Sequence, residues 1–449
     1  MDLNLLERTN FDVTEVFTPT TPAKVTFVER EIVNEKLVNA LNTPGKQIVV
    51  YGHSGNGKST LLVNKLHQTY NGHITTRCMK GTTVNELMLN AFDKLDIYHP
   101  SERSNVRKNA SSISIETTYA SIKAQLKIDA STESSTKNFR ILPPQLSPEN
   151  LAAFMGERGV CWLIEDFHKV DAHEKSKLAQ LMKVFMDCAS DYPQVKIIAT
   201  GAVETARQVV EYDPEMRNRV SEIEVNLMTE KEILSIIEKG EKSLNISIPK
   251  NVKNVIAKYS SGLGAVCHQL CLNICNAIGL NSTSPSLLTV EAEQLEKALA
   301  IYAEECSDTI RSNFEKARKL ARKSSIQHAD IIFDALCSFD DAGADRFTLL
   351  KKIQETTSYT DAVLKRQIAS LTSSAKGGLI RFSENSGKYS FSNPIYRAYA
   401  LTLFHNNGRA RDDGAFNPSE MKLSDLLRLL ERQLKSLDVT KAQRIPKSA

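Results

Sequence analysis

The chain has 449 residues, of which 41% are hydrophobic and 24% are charged, and its formal net charge at pH 7 is only +4. At about 150 residues per domain, this length predicts roughly two to four domains, and the composition excludes a chain that is disordered throughout. The small net charge excludes a globally polybasic protein of the histone or ribosomal-tail kind, although it leaves room for a local basic face.

The N-terminal segment lacks the features of an export signal. Residues Met1–Glu7 are acidic where a signal peptide would be basic, and no apolar run approaches the roughly 18 residues that a membrane span requires. The eight cysteines include no CxxC pair. We therefore expect a cytoplasmic protein that makes no membrane contact and keeps its thiols reduced. Residues 1–29, rich in Thr and Pro around Thr18–Pro22, are predicted to form an extended lead-in.

A phosphate-binding loop is predicted after the first buried strand. Residues 31–41 favour a helix, and the β-branched run Ile48–Tyr51 favours a buried parallel strand. The next residues match GxxxxGK followed by Ser or Thr, and a helical run comes after them. A plain glycine turn is the alternative, but the strand before and the helix after favour the loop. The candidate nucleotide-binding residues are Gly52, His53, Ser54, Gly55, Asn56, Gly57, Lys58, Ser59 and Thr60.

Phosphate chemistry explains the spacing of this loop. Glycines let successive backbone N–H groups point at phosphate oxygens, and the N-terminus of the following helix adds a partial positive charge. Lys58 is predicted to bridge the β- and γ-phosphates, and Ser59 to place its hydroxyl on Mg²⁺. ATP and Mg²⁺ are therefore the expected cofactors.

An insertion of about residues 100–142 interrupts the predicted core. Apolar residues alternate at its centre, from Ile113 to Ile128, and polar residues flank them. This alternation predicts a β-hairpin. Such a hairpin would contact a partner or cover an edge of the sheet.

Two carboxylates follow a second apolar strand. A helix with Ser147 as its predicted N-cap precedes the run Val160–Ile164, which ends in Glu165 and Asp166. In the hhhhDE form of this motif, the first acid holds the Mg²⁺ shell and the second polarises the attacking water. Glu165 then takes the metal position and Asp166 the base position, but the order Glu–Asp leaves the two roles open, so both are candidate metal ligands. The alternative is a strand that ends in two solvated acids.

A third β-branched strand, Val195–Gly201, ends in a small polar residue, Thr200. We expect Thr200 to sense the γ-phosphate or the water, which makes it the third candidate catalytic residue beside Glu165 and Asp166. The alternative is an ordinary strand-end hydroxyl that caps a turn.

Taken together, these motifs resemble those of AAA+ ATPases, and within them the STAND group and the related origin-initiator and transposition-helper ATPases. The resemblance extends roughly from Arg30 to Phe404. It implies an α/β fold: a P-loop NTPase, AAA+-like parallel-sheet core (residues 30–228) with a helical lid and basic linker helix (229–325), then an α+β winged-helix domain (326–405). In such families an arginine before the fifth core strand can reach a neighbouring subunit's nucleotide, and Arg217 and Arg219 are the candidates here.

The predicted lid begins at Thr229–Glu232, a capping-box signature. Ser261–Ala265 resembles the turn that opens the nucleotide-facing lid helix. Many AAA+ lids carry an arginine on this helix as a second sensor; here the nearest polar candidate is His268, which favours a switch over a processive motor. Cysteines at 267, 271 and 275 lie four residues apart and predict a buried stripe rather than a metal site.

A basic helix is predicted from Arg311 to Lys323, either as a solvated linker or as a face for nucleic acid or an acidic partner.

The predicted winged helix follows, with three helices and a hairpin. Residues 330–404 contain nine Lys or Arg and eight Asp or Glu, a net charge of +1. A DNA reader would be more basic, so we expect this module to pack on a protein surface. DNA contact remains an alternative, through Lys365, Arg366, Arg381 and Lys388.

The C-terminal residues 406–449 are predicted to contain an amphipathic helix, Ser424–Leu437, and a disordered tail. From these features we expect an ATPase that acts as a nucleotide-dependent switch, self-associates and requires a protein partner or effector. The family resemblance suggests bacterial defence or stress signalling as the output. The alternative is a duplex-DNA-binding ATPase of the initiator, loader or transposition-helper type. A small-molecule kinase is a third and weaker alternative.

Overall fold

The computed structural model describes residues 10–96, 98–103, 136–140, 146–202, 218–306, 308–319, 327–384 and 386–404, and gives backbone alone for 98–103 and 136–140. The chain divides into two compact units, Met1–Glu305 with Ser392–Ala398, and Cys306–Phe391 with Tyr399–Ala449. Within the described ranges, no helix is long and apolar enough to cross a membrane.

The first unit combines a parallel sheet with helices. Its elements in chain order are α1 (Val13–Val16), α2 (Glu31–Asn42), β1 (Gln47–Tyr51), α3 (Lys58–Thr69), β2 (Gly72–Arg77), α4 (Val84–Lys94), β3 (Tyr98–Arg103), β4 (Thr136–Arg140), α5 (Pro148–Arg158), β5 (Val160–Glu165), α6 (Ala172–Asp187), β6 (Ile197–Gly201), β7 (Val220–Glu224), α7 (Glu230–Leu244), β8 (Ile246–Ser247), α8 (Lys250–Tyr259), α9 (Gly264–Ala277), β9 (Leu288–Thr289) and α10 (Ala292–Glu305).

Five parallel strands form the central sheet in the order β2-β5-β6-β1-β7. The β-branched central strands are buried on both faces, as parallel strands covered by helices require. Because the strands are parallel, their carboxyl ends meet at one edge, where Val50 of β1 lies opposite Thr200 of β6. The strand that precedes the glycine loop, β1, lies between β6 and β7 rather than beside β2, so the connections cross over. The predicted α/β class, a parallel-sheet core with helices, is confirmed.

A hydrophobic core lies on each face of the sheet. On one face the Trp162 side chain is fully buried and packs against Phe185, with ring centroids 6.0 Å apart. Its indole N–H donates to the Thr76 hydroxyl at 2.9 Å, so the one polar atom of this ring is satisfied inside the core. On the other face, leucines of α2 and α3 pack on β1 and β6. These cores fix the carboxyl ends of the strands relative to one another.

We call helices α7–α10 the lid, and the helix predicted after Thr229 is present as α7. Thr229 and Glu232 form the expected capping box, with the Thr229 hydroxyl accepting from the Glu232 N–H at 3.2 Å. Cys267, Cys271 and Cys275 of α9 are all buried. No group of His, Cys, Asp and Glu side chains suited to a metal ion occurs in the described ranges. The prediction that these cysteines belong to the core is therefore confirmed.

The second unit contains, in chain order, α11 (Asp308–Arg318), α12 (His328–Cys337), α13 (Arg346–Gln354), α14 (Asp361–Leu371), β10 (Ile380–Ser383) and β11 (Lys388–Phe391), and the last helix, α15 (Pro394–Leu403), is divided between the two units. Strands β10 and β11 pair in antiparallel fashion. Phe333 links the helices to the hairpin, since its ring lies 5.2 Å from Phe314 and 5.9 Å from Phe391. The order of three helices and a hairpin agrees with the order expected from the sequence.

The predicted basic helix is shorter than expected in the described residues, since α11 ends at Arg318. Arg318 is also engaged structurally: its Nε donates to Asp330 at 2.6 Å, and its guanidinium lies over the Phe404 ring. Arg322 and Lys323 lie outside the described residues. Of these basic residues, Arg318 alone supports the interpretation of this helix as a linker, because its contacts lie within the chain.

Several sequence predictions fall outside the described residues: the centre of the hairpin insertion, Arg217, and the C-terminal helix Ser424–Leu437. The insertion is framed by β3 and β4, which pair in antiparallel fashion. The N-terminal lead-in is not wholly extended, because Val13–Val16 forms one helical turn with Asp12 and Glu15 in a capping box.

Candidate nucleotide-binding site

A cavity of about 910 Å³ lies at the carboxyl edge of the sheet. Parallel α/β sheets bind ligands at this edge. All the nucleotide-binding, metal-binding and catalytic candidates of this chain's own loop and strand ends line the cavity; they are Gly52–Thr60, Glu165, Asp166 and Thr200. Lid residues, an N-terminal segment and Asn393 line it as well, and all of them belong to the first unit.

The loop after β1 has the backbone geometry of a phosphate cradle. Gly55 and Gly57 have φ values of +81° and +91°, which L side chains rarely adopt. A Cβ at Gly52 would overlap the Asn56 side-chain amide and the carbonyl oxygen of Val225, whereas a Cβ at Gly57 would meet no atom within 4 Å. The loop is therefore tightly packed at Gly52 and open at Gly57. α3 begins immediately after it, so its unpaired N–H groups face the cavity.

Lys58 lies folded over this loop. Its ammonium donates to the carbonyl oxygens of Gly52 at 2.8 Å and of His53 at 2.7 Å. Burial lowers the pKa of Lys58 to about 8, and the negative charge of Asp166 partly opposes this shift. A partly dehydrated cation at the loop therefore favours an anionic ligand beside it.

The two predicted carboxylates end β5 with different partners. Glu165 accepts a hydrogen bond from the Arg77 Nε at 2.9 Å, and its side chain is 21% exposed. Asp166 has a φ of +59° and pairs with Lys169 at 2.7 Å, with 46% of its side chain exposed. Each acid is thus paired with a cation, but Asp166, Arg77 and Lys169 are each at least 46% exposed, so solvent weakens these pairs. Sequence reasoning missed Arg77, whose only signal was its place at the end of β2, the strand paired with β5.

Thr200 lies where the sequence predicted it. It is buried at the end of β6, directly opposite Val50 of β1, and lines the cavity. Its hydroxyl is therefore placed between the glycine loop and the strand that carries the acids. Arg219, by contrast, precedes β7 at the other end of the sheet, where its backbone carbonyl accepts from Gln47 N–H and its side chain pairs with Asp187 at 3.3 Å. The structure does not bring Arg219 to the cavity of its own chain.

The N-terminal strap, defined as residues 18–30, forms a wall of the cavity that the sequence did not predict. Arg30 is held by two contacts, from Nε to Glu232 at 3.1 Å and from Nη2 to the Leu227 carbonyl at 3.2 Å. Its third nitrogen, Nη1, is shielded from solvent and has no partner in the described part of the chain; the same holds for the Thr18 hydroxyl and the His168 Nδ1. All three residues line the cavity. Buried polar atoms of this kind require partners, and the base, ribose and phosphates of a nucleotide would supply them.

The lid closes on the loop through the N-terminus of α9. The Ala265 N–H donates to the Gly55 carbonyl at 3.1 Å. His268 follows one turn later and accepts a hydrogen bond from the Thr18 N–H through Nδ1 at 3.0 Å. Burial lowers the pKa of His268 to about 4, so this residue is neutral near pH 7. It therefore holds the strap and does not supply the positive charge that an arginine would.

The buried His268 predicts an acid-sensitive stability. Its pKa falls from 6.5 in the unfolded chain to about 4 in the folded chain, so the unfolded chain binds the extra proton between these values and the free energy of unfolding decreases as pH falls from 6.5 to 4. At about 1.4 kcal/mol per pKa unit, the loss reaches about 3 kcal/mol. Urea unfolding at several pH values would measure it against His268→Gln. An equally steep decrease in that variant would contradict the assignment.

No protein-family model matches the sequence, and no curated protein matches it. Among solved structures, the chain is similar to the Walker-type ATPase of Pyrococcus abyssi, with a TM-score of 0.48, 15% identity, and coverage of 83% of this chain and 96% of that chain. It is also similar to the ORC2 protein of Aeropyrum pernix in its ADPNP–ADP complexes (TM-score 0.47, 11% identity, coverage 91% and 100%). A third similar structure is Cdc6p from Pyrobaculum aerophilum (TM-score 0.41, 13% identity, coverage 89% and 100%).

Proposed function

We propose that the protein binds ATP with Mg²⁺ in this cavity, hydrolyses it, and acts as a nucleotide-dependent switch. The observation that carries the proposal is the convergence of Lys58 and Ser59 of the loop with Glu165, Asp166 and Thr200 at the ends of neighbouring strands, around one cavity that the lid also lines.

The loop and α3 bind the triphosphate in this proposal. Backbone N–H groups of the loop surround the β-phosphate, and the Lys58 ammonium leaves the loop carbonyls to contact the β- and γ-phosphates. Ser59 and Glu165 are the residues that would hold Mg²⁺, which neutralises phosphate charge when bound. The carboxylate and hydroxyl oxygens available there are the ligands that Mg²⁺ prefers.

Asp166 is the proposed base for hydrolysis. It accepts a proton from the attacking water, whose oxygen bonds to the γ-phosphorus while the bond to the bridging oxygen breaks and its electron pair stays with ADP. Thr200 orients that water or the γ-phosphate through its hydroxyl. Both roles follow from the place of these side chains at the carboxyl ends of β5 and β6.

Features of the lid support the proposal that the protein is a switch. His268, the polar residue nearest to the place of a sensor arginine, lines the cavity but is neutral near pH 7, and it accepts a hydrogen bond from the strap. The arginines that line the cavity in the described residues are Arg30 and Arg77, and both have carboxylate partners. We therefore propose that the protein is a STAND-like switch of the AAA+ class, with a winged helix in the second unit, self-association and a protein partner. An output in defence or stress signalling is the expectation that the family resemblance gives.

The alternative is a DNA-binding ATPase of the initiator type. One observation favours it: Phe382, 48% exposed, stacks on Tyr389 on the hairpin of the second unit, next to Arg381 and Lys388. Aromatic and basic residues on such a hairpin are typical of nucleic-acid contacts. Arg381 also donates to the Ser390 hydroxyl, however, and Arg318 pairs with Asp330, so part of this positive charge serves the fold.

ATP turnover and particle mass would test the proposal directly, each measured with and without duplex DNA. We expect the wild type to release phosphate from ATP and to change mass between its ATP- and ADP-bound forms, whereas DNA leaves both unchanged. Stimulation or assembly by DNA, with an affinity that falls steeply with salt, would favour the initiator-type alternative. A protein that neither binds nor hydrolyses ATP would overturn the proposal.

A further inference from the structure

The strap is fastened to the lid along its length. Phe17, just before it, packs its ring against Gly240 of α7, where a Cβ would overlap the ring. The Thr18 N–H donates to His268 of α9, the Lys239 ammonium donates to the Phe27 carbonyl, and Arg30 pairs with Glu232. These contacts attach the strap, and Phe17 just before it, to two helices of the lid, α7 and α9.

Residues before the strap extend this attachment to the lid. The backbone N–H of Phe11 donates to the Thr283 hydroxyl, and the backbone N–H of Val13 donates to the Asn281 carbonyl, both at 2.9 Å. Asp12 and Ser282 form an antiparallel bridge between them. The segment from residue 11 to residue 18, which includes the helical turn α1, is thus attached to the lid by these backbone contacts and by the Thr18 N–H.

The strap meets the core at α3, the helix that follows the phosphate loop. The Ala23 N–H donates to the Thr60 hydroxyl at 3.3 Å, and the Asn64 side-chain amide donates to the Ala23 carbonyl at 2.9 Å. Lys65 also pairs with Glu29 at 2.7 Å, but the Glu29 side chain is 66% exposed, so solvent weakens this pair. The contact at Ala23 therefore joins the strap to the core close to the glycine loop, the proposed phosphate-binding site.

We propose that the strap and the lid move as one body, and that the contact of Ala23 with Thr60 and Asn64 is a latch that sets the rate at which nucleotide leaves the cavity. The inference rests on the proposed function. The shielded Thr18 hydroxyl, which lacks a partner in the described residues, is the strap group that a bound nucleotide would engage. The nucleotide then helps to hold the latch shut.

Asn64 is the positioning residue that tests this latch, because its side chain reaches the strap without lining the cavity. Loss of a hydrogen bond of this kind changes an equilibrium by about two- to tenfold. We expect Asn64→Ala to release nucleotide about fivefold faster, with little change in its association rate. Gln68→Ala, which removes an exposed amide one turn later on α3, is the matched control and should release nucleotide at the wild-type rate.

The probe is ADP with a fluorescent group on its ribose, displaced by excess unlabelled ADP in a stopped-flow instrument, after thermal unfolding has verified that the variants are folded. Thr283→Val tests whether the strap and the lid move as one body. It removes a hydrogen bond within that body, so the rate of nucleotide release should not change. Unchanged release from Asn64→Ala, or faster release from Thr283→Val, would overturn the latch while the proposed function stands. A wild type that binds no labelled ADP would instead overturn the proposed function and the latch with it.

Discussion

Replacing Lys58 by alanine is expected to abolish nucleotide binding at ordinary ATP concentrations, and turnover with it. The Lys58 ammonium is the buried cation of the loop, already partly dehydrated and held by two loop carbonyls. Each charge-assisted hydrogen bond to a phosphate contributes about 1.5–3 kcal/mol, so losing the contacts to the β- and γ-phosphates should weaken ATP binding by at least about a hundredfold.

Calorimetric titration with ATP and Mg²⁺ would measure this loss, and thermal unfolding of both ligand-free proteins would establish that the variant is folded. Lys177→Ala is a suitable control, since Lys177 is a half-exposed lysine paired with Glu174 and lies outside the cavity lining. It should bind ATP as the wild type does. If Lys58→Ala retained the affinity of the wild type, the loop could not be the phosphate site, and the proposed function would fail.

The parts of the site that the sequence predicted are those coded by consecutive residues. The strand, the glycine loop and the helix are contiguous, and each has its own local signature, as do the acids at the end of β5. The parallel sheet brings these segments together because the carboxyl ends of its strands meet at one edge. No further sequence signal is needed to predict that they lie close to one another. Thr200 lies beside the loop for the same reason.

The parts that the sequence did not predict depend on contacts between distant residues. The strap has no motif, and its role arises from Ala23 reaching α3 and Thr18 reaching His268, the latter across 250 positions of the chain. Arg77 and Glu165 are likewise 88 positions apart and meet because β2 pairs with β5 in a particular register. One signal was available, since Arg77 ends an otherwise unremarkable strand with a charge, but strand order cannot be read from a single sequence.

His268 shows how a correct position can carry an unexpected role. The sequence identified it as the nearest polar residue to the place of a sensor arginine. A sensor would face the phosphates with a positive charge, whereas His268 is buried, neutral near pH 7 and bonded to the backbone of Thr18. The packing of Phe17 against its ring, with centroids 6.1 Å apart, explains the burial that keeps it neutral. Because His268 is neutral, its Nδ1 can accept the Thr18 N–H, and this is one of the contacts that link the strap to the lid.

Substitution of the two acids should separate their roles, and we expect Asp166→Asn to have the larger effect on the rate. General-base catalysis contributes about 10²–10⁴-fold, so Asp166→Asn should lower ATP turnover by that range while ATP still binds. Asp166 is suited to this role because its charge acts on Lys58 and its partner Lys169 is a flexible, half-exposed side chain that can swing away. Hydrolysis of bound ATP in a single turnover would measure the rate of the chemical step without the effect of nucleotide release.

Glu165→Gln is expected instead to raise the Mg²⁺ concentration needed for half-maximal turnover, because a neutral amide is a weaker ligand for a hard cation than a carboxylate. Arg77, whose side chain is 80% exposed, pairs only weakly with this carboxylate, and the glutamine oxygen can still accept its hydrogen bond, so the substitution chiefly removes the charge. Asp191→Asn, an exposed acid outside the cavity lining, should change neither quantity. If Glu165→Gln lost the chemical step and Asp166→Asn lost the Mg²⁺ dependence, the two roles would be reversed. In that case the Arg77 ion pair would restrain the base rather than the metal ligand, and turnover would depend on breaking it.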